Sequence, residues 1–180
     1  MKKTDVKKSI LLLSVGALMA SSVWAQADKS SRPSPPATAT GKIGAATITI
    51  DYSSPSVKGR KIWGDLVPYD QAWRAGANEA TIFSTDKAVK IGGKTLPAGK
   101  YSLFATPGKT DWEFIFNSQT GQWGIKQGGV ANFDPSKNVL TVKVKSGKSE
   151  NFNERLAYVV SAKGFALRWE NLDVMVPISN

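Results

Sequence analysis

Apolar and polar residues alternate along much of the chain. Ile48, Ile50 and Tyr52 alternate with Thr47, Thr49 and Asp51, and Trp112, Phe114 and Phe116 with Glu113, Ile115 and Asn117. Leu140, Val142 and Val144 alternate with Thr141, Lys143 and Lys145. Phe165, Leu167 and Trp169 alternate with Ala166 and Arg168, and Leu172, Val174, Val176 and Ile178 continue the rhythm. A period of two sends successive side chains to opposite faces of a strand, so these runs predict half-buried β-strands. Turn formers separate them: Gly92-Gly93, Pro97-Ala98-Gly99, Pro107-Gly108, Asp134-Pro135 and Ser146-Gly147. Ala88 to Ala105 reads as two strands joined around Gly92 to Gly99. Helical signal is confined to Tyr69–Ala77, with Asp70 as N-cap and Gly76 closing the turn. The pattern predicts an all-β fold: an antiparallel β-sandwich or jelly-roll-like barrel with one long irregular loop and at most one short helix.

The first 41 residues lack this rhythm. Met1 to Lys8 carries four lysines and one aspartate, and Ile10 to Ala20 is an unbroken apolar or small-residue run. About 11 residues are too few to span a bilayer, which takes roughly 20. A basic start, a short apolar centre and small residues at a cut point predict a secretory signal peptide over residues 1–25. Cleavage falls after Ala25 or after Ala27. Residues 26–41 include DKSSRPSPPATATG, rich in Pro, Ser and Thr and without a large apolar side chain. Such a segment buries too little surface to offset its ordering entropy and reads as a disordered tether. A single sandwich domain is expected over 42–180, long enough to build its own core.

Composition narrows the chemistry. The 180 residues contain no His and no Cys. That excludes Ser-His-Asp and Cys-His catalysis, His-ligated metals, disulfides, thiolate metal sites and lipidation of an N-terminal Cys. No metal site and no cofactor motif is expected. The formal charge of +10 falls to +7 once residues 1–25 are removed, with 20 basic against 13 acidic residues remaining. Lys42, Lys87, Lys94, Lys109, Lys143 and Lys163 are scattered beside turns and on polar strand faces, where lysine solubilises a sheet and blunts its edges. Nucleic acid is therefore not an expected partner, and no transmembrane segment is expected after signal removal. An unknown small molecule or envelope polymer is the expected partner.

Between Asp51 and Phe83 the strand rhythm stops for some 30 residues. Long irregular excursions in compact domains are often functional. This one gathers groups able to grip a ligand: Arg60, Trp73, Arg74, Asn78 and Glu79 as first candidates, and Tyr52, Lys58 and Tyr69 as second. The run YSSPSVKGRKIWGDLVPYDQAWRAGANEAT, with GGKTLPAGKYSLFATP, WEFIFN and QWG downstream, resembles the bacterial family called domain of unknown function 2911. The resemblance covers most of residues 45–178. It implies an exported protein, since members are typically exported and many come from Bacteroidetes and related Gram-negative groups. It implies no reaction, substrate or catalytic residue. The chain departs from the family pattern at Gln127–Asn132 (QGGVAN), a longer and glycine-richer loop.

Each constellation has a structural alternative. Arg74 offers a planar fork to a carboxylate or phosphate, or Arg74 and Glu79 pair with each other or with backbone carbonyls to fix the loop. Lys58, Arg60 and Lys61 around Gly59 form an anion cradle or a plain exposed turn. Ser54 and Lys58 miss the S-x-x-K spacing by one residue. Asp51, Asp65, Asp70, Glu79 and Glu113 are the acids available to a two-carboxylate glycosidase. Trp112 and Trp169 fall in phase with the core, whereas Trp123 suits a loop tip. The expected function is a non-enzymatic ligand-binding or cell-envelope module, periplasmic or secreted. The rival is a carboxylate-based hydrolase acting on envelope glycans or a related polymer.

Overall fold

The computed structural model describes residues 28–179. The signal peptide read over 1–25 and both of its cut points lie outside the described residues. The strands in chain order are β1 (Pro36–Ile43), β2 (Ala46–Ser53), β3 (Thr81–Thr85), β4 (Val89–Ile91) and β5 (Lys94–Leu96). They are followed by β6 (Gly99–Pro107), β7 (Asp111–Asn117), β8 (Asn138–Lys145), β9 (Gly147–Ser161) and β10 (Gly164–Ser179). One sheet has the order β1-β2-β3-β6-β7-β8 and the other β5-β4-β10-β9, with antiparallel pairing throughout. This is a β-sandwich, as the alternation predicts.

The in-phase residues make the core. Ile48, Ile50, Phe83, Phe114 and Phe116 of the first sheet and Phe165, Leu167 and Trp169 of the second are all buried. Aromatic rings lock the sheets together: Phe165 lies 5.8 Å from Phe83 and 5.7 Å from Phe114, centroid to centroid. Each buried side chain of this size contributes roughly 2–3 kcal/mol on removal from water. In β10 the inward positions change from odd to even numbers beyond Trp169. Glu170 takes a left-handed φ of 54°, and the pairing with β9 shifts register on either side of it. That bulge lets Val174, Val176 and Ile178 rejoin the same core.

Three local expectations are corrected. Ala88–Ala105 forms three strands, not two. Gly92 and Gly93, at φ 57° and 77°, close the β4–β5 hairpin, and the chain then crosses to the other sheet as β6. The Tyr101 hydroxyl donates to Pro97 O at 2.9 Å and pins that crossing.

Secondly, part of the expected tether is a strand. Residues 36–43 pair with 46–53 along their whole length. Their lack of bulk is a fit and not a failure to fold: a Cβ on Gly41 would come within 2.8 Å of Val160 Cγ1 on β9. Backbone hydrogen bonds hold this strand, and at Gly41 the close approach of β9 leaves no room for a side chain.

Thirdly, Tyr69–Ala77 is not helical. β3 covers β6 only as far as Leu103, which leaves backbone groups further along β6 in need of partners. Trp73 N donates to Ala105 O at 2.7 Å, Trp73 O accepts from Ala105 N at 2.9 Å, and Asp70 N donates to Pro107 O at 2.8 Å. Asp70 itself has φ 59°, outside the geometry of a helix N-cap. Satisfying the sheet edge outweighs a weak helical propensity.

Candidate ligand-binding site

The excursion after β2 and the loop between β7 and β8 wrap over the outer face of β6 and β7. Phe104 and Ile115, on the outer side of those strands, are buried with Ala80 and Ala131 and packed by Ala72 and Phe133. The Phe104 and Phe133 rings lie 4.6 Å apart. Where the two loops face each other they leave an open cavity of about 900 Å³. Its apolar walls include Val67, Trp73, Phe133 and Trp169, and its cations are Arg60, Arg74 and Lys126. Leu66 and Val130, 45% and 66% exposed, stand at it as exposed apolar residues.

Arg74 is the distinctive group. Its stem lies over Gly124, and its Nε is buried without a hydrogen-bond partner. Among the described residues no ion pair involves it. Burial pushes its guanidinium below the ordinary arginine pKa. The expected Arg74–Glu79 pair does not form. Ala75 and Asn78, with φ of 51° and 58°, turn the chain between them, and the two side chains reach different surroundings. Glu79 instead pairs with Lys29 at 2.9 Å and Arg32 at 3.0 Å. Burial alone would raise the Glu79 pKa. Hydrogen bonds from Lys29, its own backbone and Arg32, with the charge of Lys29, outweigh that and bring it down to about 2.

The candidates therefore divide. Arg60, Trp73 and Arg74 meet at the cavity. Trp73 stacks on Trp169 at 5.9 Å with 16° between planes, and Trp63 stands edge-on to both. Arg60 has part of its fork engaged by its own turn, Nε donating to Val57 O at 3.0 Å and Nη2 to Ser56 O at 2.5 Å. Asn78 and Glu79 face the N-terminal segment, Asn78 Nδ2 donating to Ser34 O at 3.0 Å. Tyr52 packs edge-on against Tyr158 at 4.9 Å. Tyr69 covers Gly64, where a Cβ would meet its ring at 2.7 Å. Lys58 is exposed, and beside it a smaller recess of about 260 Å³ is lined by Pro33, Ser34, Ser56, Lys58 and Arg60. Ser54 is buried and donates to Leu156 O at 2.7 Å.

The sequence reading missed Lys126, Val130 and Phe133, which come from the loop after Trp123, and took Trp169 for core alone. The available signal was QGGVAN. Gly128 and Gly129 adopt φ of 86° and 83°, which returns the chain so that Lys126 N donates to Val130 O at 2.8 Å. None of Asp51, Asp65, Asp70, Glu79 or Glu113 lines the cavity.

Fold and site together define a two-sheet antiparallel sandwich with a basic, apolar-walled cavity between the two loops that cover the outer face of β6 and β7. The family model described as "Protein of unknown function (DUF2911)" matches residues 34–178, and the chain belongs to that family. No curated protein and no solved structure matches the chain.

Proposed function

We propose that the chain is an exported, non-enzymatic ligand-binding module of the cell envelope, periplasmic in a Gram-negative cell, with the Arg74 cavity as its site. One observation carries this reading: a half-buried guanidinium with no ion pair among the described residues lines an open cavity large enough for a small organic molecule. A guanidinium without an ion pair gains a charge-assisted bond from an anionic ligand. Export is supported by the basic start, short apolar run and small-residue cut points of residues 1–27. A two-carboxylate hydrolase needs two acids on one cleft. Among the described residues the cavity lining contains no Asp or Glu, which favours binding over hydrolysis.

The test uses a neutral fluorophore, N-phenyl-1-naphthylamine. The expected result is one molecule bound per chain, with quenching of tryptophan emission. Val130→Asp, at an exposed position on the cavity, is expected to weaken it about tenfold or more without changing the circular dichroism spectrum. No binding, or binding indifferent to Val130→Asp, overturns the reading.

A further inference from the structure

The polarity of the cavity specifies more than its volume does. Arg74 is half-buried at its wall, with no ion pair among the described residues. Among the described residues its charged side chains, Arg60, Arg74 and Lys126, are all cations, and no carboxylate lines it. Asn78 and Glu79, which follow Arg74 in the same excursion, face Ser34, Lys29 and Arg32 instead. Glu79 is thereby neutralised by its own partners and is not available to Arg74. The opposite walls are apolar and aromatic.

We infer that the cavity takes an amphiphilic organic oxyanion, its acceptor-only head group held by Arg74 and its apolar body laid along Val67, Val130 and Phe133. This inference rests on the binding-module reading above. A guanidinium presents parallel N–H donors that match the two oxygens of a carboxylate or the edge of a phosphate or sulfate, and such charge-assisted bonds are the stronger kind. The same cations repel a cationic head. A neutral alcohol makes at most a single weaker bond and leaves the charge uncompensated. A small inorganic anion reaches Arg74 but leaves the aromatic wall in water. The ligand class thus needs both parts, charge and apolar body.

The experiment measures affinity by tryptophan emission and calorimetry for decanoate, decyl sulfate, decanol, decyltrimethylammonium and inorganic phosphate, each below its aggregation concentration. Decanoate and decyl sulfate are expected to bind at least about tenfold tighter than the other three, as a charged hydrogen bond of this kind requires. Arg74→Gln is expected to abolish the advantage of decanoate over decanol while leaving decanol unchanged. Should that variant misfold, the head-group series on the unaltered protein still decides. Decanol binding as tightly as decanoate overturns the oxyanion class and leaves the binding module standing. Phosphate binding as tightly as decanoate overturns the role of the apolar wall. Binding of none of the five ends both readings. Capture by phosphatidylglycerol vesicles that decanoate does not relieve assigns the basic face to a membrane surface and overturns the cavity as the anion site.

Discussion

Gly124 lies directly beneath Arg74. A Cβ at position 124 would come within 2.2 Å of Arg74 Cδ and 2.7 Å of its Cβ. Gly124 N also donates to Asn78 O at 3.0 Å, and its carbonyl accepts from Asn132 N at 3.0 Å, so the backbone there has little freedom to retreat. The absence of a side chain at 124 is what lets the arginine stem lie flat at the cavity wall.

Gly124→Ala is therefore expected to act through Arg74. Overpacking of this kind costs about 1–3 kcal/mol, which urea unfolding measures. The same substitution is expected to weaken decanoate binding as much as Arg74→Gln does, with decanol unaffected. Loss of stability with intact selectivity for decanoate would show that Arg74 is not positioned by this contact.

The ion pairs of Glu79 make a pH prediction. Its folded pKa of about 2 lies below the unfolded value of about 4.3. A depressed carboxylate contributes stability that is fully present above the unfolded value and is lost as pH falls toward the folded one. Its side chain is 38% exposed, so solvent and salt screen the interaction. Glu79→Gln is expected to cost about 0.5–1 kcal/mol at pH 7 and low salt. The difference from the unaltered protein is expected to shrink between pH 4 and 2 and on adding salt. A difference that stays constant from pH 7 to 2 would mean that Glu79 acts through packing and not charge.

Residues 36–43 behave differently if they are a strand than if they are a tether. A chain beginning at residue 42 exposes the backbone edge of β2 that β1 now covers. Removal is expected to cost roughly 2 kcal/mol or more, from lost hydrogen bonds and packing, and to promote edge-to-edge association. Thermal unfolding and light scattering measure the two effects. An unchanged melting temperature would restore the tether.

The sandwich was legible because burial in half-exposed strands leaves a period of two, and Trp112, Phe114, Phe116, Phe165 and Leu167 keep that period. β1 was hidden because its partners demand small side chains, so composition mimics a linker at Gly41. The excursion announced itself by losing the rhythm, and Arg60, Trp73 and Arg74 do meet there. Their grouping with Asn78 and Glu79 was not legible. It depends on left-handed turns at Ala75 and Asn78, residues without the glycine that normally signals such backbone. The opposite wall was hidden in a loop far along the chain, and only its paired glycines marked it.

Ala75, next to Arg74, is buried with φ 51°, a conformation that costs a non-glycine residue about 1–2 kcal/mol. Its carbonyl accepts from the Tyr158 hydroxyl at 2.8 Å and from Thr81 Oγ1 at 3.0 Å. These two donors come from β9 and β3, on opposite sheets, so the strained turn that aims Arg74 is clamped by both. Tyr158→Phe and Thr81→Val are each expected to cost about 1 kcal/mol, since one donor remains in either variant. The double variant leaves a buried carbonyl with neither, and is expected to cost about 1 kcal/mol more than the sum of the single changes. Decanoate binding is expected to follow the same order, nearly retained in the single variants and weakened about tenfold in the double. Strict additivity in both unfolding and binding would show that the two donors stabilise their own strands and not the turn at Ala75.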